Sequence, residues 1–154
     1  MIATETGTFK VRAGVAALAG AAAALAIVAA PGEAVTGQTC NQVQPVTGST
    51  KVRLATGVTV VKPPANVPAG TQLVVGARYL ASTPYKSVYA FISSSRSGSA
   101  IGEQFFSGSG AKLRCAKIGG KLQAGTTRYI QYQLVPKKQG GKRTKVFYKV
   151  TVQS

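Results

Sequence analysis

The chain has 154 residues, of which 45% are hydrophobic, and its 19 Lys and Arg against 3 Asp and Glu give a formal net charge of +16. This hydrophobic fraction excludes a disordered basic tail, and the length accommodates one hydrophobic core rather than two domains. The chain contains no aspartate and no histidine, and only Glu103 lies beyond Glu33, so the composition argues against an enzyme and favours a binding or structural protein.

The first 34 residues have the pattern of an export signal. Lys10 and Arg12 precede an apolar run over residues 13–30, and the small-residue stretch 31–34 (PGEA) follows. We therefore expect an N-terminal apolar helix in residues 1–34 that is a signal peptide, cleaved after residue 34. The alternatives are a retained membrane anchor, because residues 13–30 nearly span a bilayer, and a helix used in an assembly.

The remaining chain is strongly basic. Loss of Lys10 and Arg12 leaves 17 basic residues in residues 35–154, against Glu103 as the one acid. At physiological salt such a charge acts over roughly 8 Å, so it favours short-range contact with an anionic polymer, either a cell-envelope polysaccharide or a nucleic acid. The alternative is that the charge only keeps a small exported domain soluble.

The two cysteines, Cys40 and Cys115, both lie beyond the predicted signal. An even count suits one disulfide in an oxidising compartment. Closing a loop of about 75 residues would contribute roughly 4 kcal/mol to stability. The alternative is a pair of buried free thiols. Two cysteines without histidine or aspartate make a poor metal site, and we expect no metal and no cofactor.

Residues 35–50 are rich in Thr, Gln, Gly and Pro and are predicted to be a leader segment tied to the domain through Cys40. From residue 51 to 154 the hydrophobic period is two, which is typical of β-strands. Prolines in residues 63–70 interrupt this pattern and predict a loop. Strand runs are predicted at 51–54, 58–62, 73–80, 87–93, 112–118, 127–135 and 144–152.

The connection over residues 93–111 is rich in Ser and Gly and carries Phe105 and Phe106. It predicts either a mobile binding segment or a crossover that contains one short strand, and the two phenylalanines favour partial burial. In the last strand, alternation places Val146, Tyr148, Val150 and Val152 inward and Lys145, Phe147 and Lys149 outward. About seven short β runs without an amphipathic helix predict an antiparallel two-sheet β-sandwich for residues 51–154.

The C-terminal third resembles a known type of module. Residues 115–120 (CAKIGG) and 122–125 (LQAG) precede an alternating strand to Val135-Pro136, a Gly140-Gly141 turn and a closing strand that ends at residue 152. This order resembles Ig-like modules of bacterial surface proteins, namely the repeat-type and CARDB-like adhesion modules. The resemblance implies an Ig-like sandwich and a surface role, and it carries over no functional residue. The chain differs from these modules in its basic charge and in standing alone.

The candidate site is a basic cluster around the last Gly-containing turn. Outward positions Lys112, Arg114, Lys51 and Arg53 are expected to extend it, and aromatic rings beside it, at Tyr129 and Phe147, are suited to stack on sugars or bases. The alternative is ordinary solvated surface charge. The predicted polyanion-binding residues are Lys137, Lys138, Lys142, Arg143, Lys145 and Lys149.

These features predict an exported, non-enzymatic protein, secreted or at the cell surface, that binds an anionic envelope or extracellular polymer or a protein partner. The alternative is a structural subunit of an assembly, such as a virion coat or decoration protein or a surface filament. That alternative includes a homo-oligomer and retention of the N-terminal segment, with membrane contact only if residues 13–30 are retained. A third hypothesis is a soluble nucleic-acid binder, against which the export signal argues.

Overall fold

The structure, a computed structural model, describes residues 37–154. The predicted N-terminal helix, and with it the choice between signal peptide, membrane anchor and assembly helix for residues 1–34, lies outside the described residues. In the part of the chain that is described, no helix has the length and apolar character needed to cross a bilayer.

Residues 37–154 form an all-β domain with two five-stranded sheets, and this confirms the predicted all-β, two-sheet sandwich arrangement. The described part has ten strands instead of about seven, because β1, β4 and β7 add to the predicted runs. The strands are β1 (Gln38–Thr39), β2 (Thr50–Ala55), β3 (Val58–Lys62), β4 (Asn66–Val67), β5 (Leu73–Tyr79), β6 (Tyr85–Ser93), β7 (Ala100–Ser107), β8 (Arg114–Ile118), β9 (Thr127–Pro136) and β10 (Thr144–Val152).

The first sheet has the order β1-β8-β5-β3-β2 and is antiparallel throughout. Its β2–β3 hairpin turns at Thr56-Gly57, where Gly57 has φ 77°. A Cβ at Gly57 would lie 2.7 Å from Thr83 Cγ2, so both the conformation and the space require glycine there.

The second sheet has the order β4-β10-β9-β6-β7, and its three longest strands, β6, β9 and β10, are antiparallel neighbours. Its edge strand β4 lies inside the proline-rich segment predicted as a loop, and it pairs in parallel with β10. The amide of Gln153 donates to the carbonyl of Val67 at 2.9 Å. Pro64 and Pro68 flank this strand and have no N–H to donate, so the pairing ends after two residues.

The Ser/Gly-rich connection contains β7, which pairs with β6 as the last strand of the second sheet. Phe106 is buried between the sheets, and Phe105 is half-buried on the opposite side of the strand. The structure therefore confirms the predicted crossover with a strand, which is eight residues long.

The core lies between the inward faces of the two sheets, where β3, β5, β6 and β9 contribute alternate buried residues. Tyr132 is fully buried, and its hydroxyl crosses to the first sheet, where it donates to Val61 O at 2.6 Å and accepts from Gly76 N at 3.1 Å. The ladder between β3 and β5 ends one residue earlier, at Val60 and Ala77, so the hydroxyl links the two strands where their own pairing stops. Burial raises the pKa of Tyr132 above its ordinary value of 10.0.

The predicted disulfide between Cys40 and Cys115 is present, with a Cα–Cα distance of 4.8 Å. It holds the leader against the outer face of the first sheet, and β1 pairs there with β8. Beneath it lies a small apolar cluster that includes Val61, Val74 and the buried Cys115. Gly76 leaves room for the sulfur, since a Cβ at that position would lie 2.7 Å from Cys115 Sγ.

Candidate functional site

The outer face of the second sheet collects aromatic, amide and basic side chains. On β9, Ile130, Tyr132 and Leu134 point into the core, so the residues between them face outward. Cross-strand pairing arranges the outward residues of β10, β9, β6 and β7 in three rows. The rows are Lys145, Gln133, Tyr89 and Phe105; Phe147, Gln131, Phe91 and Glu103; and Lys149, Tyr129 and Ser93. We call this surface the aromatic face.

The five rings of the aromatic face are half-exposed, and three of them, Tyr89, Phe91 and Phe105, pack on one another. The ring centroids of Tyr89 and Phe105 are 4.5 Å apart, with an interplanar angle of 32°. Those of Tyr89 and Phe91 are 5.8 Å apart and nearly parallel, at 12°. A ligand can therefore contact only the outward surfaces of these three rings.

Two arginines are held directly over rings of this face. The guanidinium carbon of Arg143 is 5.9 Å from the centroid of Tyr89, and its Nη1 donates to Gln133 Oε1 at 3.3 Å. The guanidinium carbon of Arg96, from the β6–β7 connection, is 5.1 Å from the centroid of Phe147. Cation–π attraction therefore positions two charged groups that are themselves exposed to solvent.

A shallow depression of about 280 Å³ lies at one end of the aromatic face. It is lined by Arg96, Tyr129, Phe147 and Lys149. Tyr129 and Lys149 are direct cross-strand partners on β9 and β10. Two rings and two positive charges thus meet within the span of neighbouring side chains.

The six predicted polyanion-binding residues do not form one cluster. Lys145 and Lys149 lie on the aromatic face, and Arg143 reaches over it from the end of the turn. The side chain of Lys137 turns the other way, and its Nζ donates to Ala81 O at 2.5 Å in the β5–β6 connection. The remaining two, Lys138 and Lys142, are exposed in the turn between β9 and β10.

The expected extension of this cluster is wrong, because its residues belong to the other sheet. Lys51 and Arg53 lie on β2, and Arg114 lies on β8, all in the first sheet. Lys112 precedes β8 and lines a depression with Cys40. Alternation correctly predicts that Lys51 and Arg53 face outward, but it is wrong for Arg114, which is half-buried and shares its side of β8 with the core residue Ile118. Alternation also contains no information about which sheet each strand joins.

Sequence reasoning recognised Tyr129 and Phe147 and missed the other members of the aromatic face. The clearest missed signal is β6, where Tyr89 and Phe91 alternate with buried Val88, Ala90 and Ile92. Residues 88–92 of β6 are all apolar or aromatic, so both faces of this strand carry such side chains. One of the two sets, either the aromatic or the aliphatic one, must therefore face outward. Arg96 had no such signal, since it reaches Phe147 from a loop.

The described residues offer little for acid/base or metal chemistry. Glu103 is exposed and lies opposite Phe91 at the edge of the aromatic face. Within residues 37–154, His, Cys, Asp and Glu nowhere gather in a group of three that could hold a metal ion. The groups that this face presents are donors, acceptors, rings and positive charges, which suit binding.

Comparison with known proteins gives no relative from which a function could be transferred. The chain matches no protein-family model, and neither the curated proteins nor the solved structures include a significant match to it.

Proposed function

We propose that this protein is exported, has no enzymatic activity, and binds an anionic polymer of the cell envelope or its surroundings through the aromatic face. The observation that carries the proposal is the convergence of Arg96, Arg143, Lys145 and Lys149 with five half-exposed rings on one sheet face. Because Glu103 is the one acidic residue in 37–154, the basic residues have almost no internal partner to compete with an external anion.

Export is supported by the sequence of residues 1–34 and by the disulfide, since disulfides persist in oxidising compartments. We expect native protein to begin at Val35 and to carry an oxidised cysteine pair. The intact mass of protein from its native source reports both properties at once. Recovery of a chain that begins at Met1 with reduced cysteines would contradict export.

We also propose that the domain is Ig-like, as the C-terminal sequence pattern implies. The order of the central strands supports this, because β3, β5 and β8 would correspond to strands A, B and E of an Ig domain. β6, β9 and β10 would then correspond to C, F and G in the facing sheet.

Polymer binding is tested with the purified protein and a panel of polygalacturonate, polyphosphate, single-stranded DNA and neutral dextran. We expect binding to at least one polyanion, with an affinity that falls as salt rises, and no binding to dextran. Joint replacement Lys145→Gln and Lys149→Gln should lower the slope of log affinity against log salt by about one for each lysine.

The matched control is Lys51→Gln with Arg53→Gln, which removes the same charge from the first sheet. It should leave the affinity nearly unchanged. If both double variants weaken binding equally, the net charge and not the aromatic face would be responsible. If none of the three polyanions binds, the proposed function is wrong.

A second candidate, a subunit of a homo-oligomeric assembly, is favoured by the edge strand β7. Among residues 37–154 this strand is the last in its sheet, and Ile101 on it is 57% exposed. An edge strand with an exposed apolar side chain is suited to strand addition by another copy. Light scattering across a concentration series tests this, and Ile101→Lys should abolish any oligomer. A chain that stays monomeric at high concentration would exclude the candidate.

A further inference from the structure

The depression formed by Arg96, Tyr129, Phe147 and Lys149 has the size of a subsite rather than a complete binding pocket. Its volume of about 280 Å³ is just below the range of roughly 300–1,000 Å³ that is usual for pockets that enclose a small molecule. It is also open on a sheet face that continues along three rows of side chains. Such a site fits one residue of an extended polymer whose other residues follow the face.

The placement of the positive charges in the depression indicates which chemical groups the bound polymer residue carries. Arg96 lies over the ring of Phe147, and Lys149 is the direct cross-strand partner of Tyr129. A ligand residue must therefore present an apolar surface and a negative charge within a few ångströms of each other. In an acidic sugar the C–H face and the carboxylate belong to one ring. In a nucleic acid, the sugar lies between the stacking base and the phosphate, so the apolar surface and the negative charge are farther apart than in an acidic sugar.

The amides of the aromatic face point to the same ligand class. Gln131 lies between Phe147 and Phe91 across the sheet, and Gln133 adjoins it with its Oε1 already accepting from Arg143. A primary amide both donates and accepts hydrogen bonds, as hydroxyl groups do. A polyphosphate offers only acceptors, whereas a polysaccharide can use both sides of Gln131.

We propose that the anionic polymer is a polysaccharide that bears carboxylates, and that this depression binds one uronate residue. The sugar ring packs on Tyr129 and against the part of Phe147 that borders the depression, while the carboxylate pairs with the guanidinium of Arg96 and the ammonium of Lys149. A planar guanidinium can engage a carboxylate with two parallel hydrogen bonds, which an ammonium cannot. This proposal rests on the proposed function and names the ligand of its site.

The test compares polygalacturonate with its fully methyl-esterified form, which keeps the sugar rings and removes the charge, and with polyphosphate and single-stranded DNA. We expect polygalacturonate to bind most tightly at equal salt. The double variant Phe147→Leu with Tyr129→Leu should weaken polygalacturonate about tenfold or more, as expected for the loss of stacked rings. It should change polyphosphate binding less than about twofold, because no charge is lost.

Two further variants separate the roles of ring and charge. Phe147→Tyr keeps a ring in place and should retain binding. Arg96→Gln should reduce the preference for polygalacturonate over its methyl ester, because the neutral polymer does not use the guanidinium. Thermal unfolding and near-ultraviolet circular dichroism establish that each variant is folded.

The outcomes distinguish this proposal from the one on which it rests. The uronate site is wrong, while polyanion binding stands, if polyphosphate binds as tightly as polygalacturonate and the double leucine variant weakens the binding of neither polymer. Tightest binding to single-stranded DNA would assign the face to nucleic acid instead. Equal binding of the methyl ester would assign it to neutral polysaccharide.

Discussion

The outer faces of the two sheets are both basic, but they are built differently. On the first sheet, the leader segment covers an apolar cluster around Cys115, and Lys51, Arg53 and Arg78 lie beside it. Among the described residues that face outward on this sheet, none is aromatic. On the second sheet, no strand within residues 37–154 covers the rings of the aromatic face. Arg96 and Arg143 lie over two of these rings, those of Phe147 and Tyr89.

The first outer face serves stability, and the aromatic face is suited to binding. An apolar cluster covered by a disulfide-linked strand is buried within the domain and contributes to its stability. Half-exposed rings with positive charges over them leave apolar area accessible to solvent, which gives less stabilisation and more opportunity for a ligand. We therefore expect substitutions near the first outer face to lower stability, and substitutions on the aromatic face to lower binding.

The largest expected effect follows from removal of the disulfide. Joint replacement Cys40→Ala and Cys115→Ala should lower the free energy of unfolding by about 4 kcal/mol, because the loop of 75 residues is no longer closed in the unfolded chain. Urea denaturation measures this change. Polymer binding by the remaining folded protein should be unaffected, and a parallel loss of binding would show that the two faces are coupled.

The next effect concerns the hydroxyl that joins the two sheets. Tyr132→Phe leaves Gly76 N and Val61 O without this partner, at a cost of about 1–2 kcal/mol for each buried group left unpaired. Tyr89→Phe is the matched control on the aromatic face and should change stability by less than about 0.5 kcal/mol. Equal effects of the two substitutions would contradict the bridging role.

The same hydroxyl predicts a pH dependence. Burial raises the pKa of Tyr132, and it also raises those of Tyr79 and Tyr148, above 10.0 in the folded state. Above pH 10 the folded state thus retains phenol protons that the unfolded chain releases. The free energy of unfolding therefore does not depend on these tyrosines below pH 10 and declines as the pH rises above 10. Tyr132→Phe should make this decline shallower, which urea denaturation at several alkaline pH values would measure.

A smaller effect is expected from crowding under the disulfide. Gly76→Ala introduces a Cβ within 2.8 Å of Cys115 Sγ, Arg114 O and Val61 Cγ2. Overpacking of this kind costs about 1–3 kcal/mol, measurable by thermal or urea unfolding. Gly110→Ala is the control, because its Cβ would meet nothing within 4 Å. A neutral Gly76→Ala would mean that β5 and β8 move apart easily.

The smallest expected change in stability comes from a substitution that alters the charge of the first outer face. Thr59 lies between Arg53 and Arg78 on neighbouring strands. Thr59→Glu places a negative charge opposite both and should raise stability by about 0.2–1 kcal/mol for each pair at low salt. The gain should vanish at high salt, and Thr59→Gln should show none. A gain that persists at high salt would have another origin than charge.

Much of the β-structure could be predicted because alternation and turn residues act locally. The runs that became β9 and β10 follow a period of two, and those that became β5 and β6 are short, largely apolar runs between turn residues. The short strands β1 and β4 could not be predicted in this way, since two residues show no periodicity. They exist because distant strands, β8 and β10, offer free hydrogen-bonding edges to them.

The candidate site was only partly predictable for the same reason. The sequence showed that Lys145, Phe147 and Lys149 share one side of a strand, which depends on backbone geometry alone. It did not show that Tyr89, Phe91 and Phe105 lie beside them, nor that Lys51 and Arg53 lie on the other sheet.

The sequence by itself determined the basic charge, the disulfide partners, and the β class, because composition and a period of two are properties of the chain at short range. Only the tertiary structure decided which strands are neighbours, since pairing is selected by how the whole core packs. That selection brought Arg96 over Phe147 and Arg143 over Tyr89, and it changed a list of basic residues into a surface with a defined chemistry.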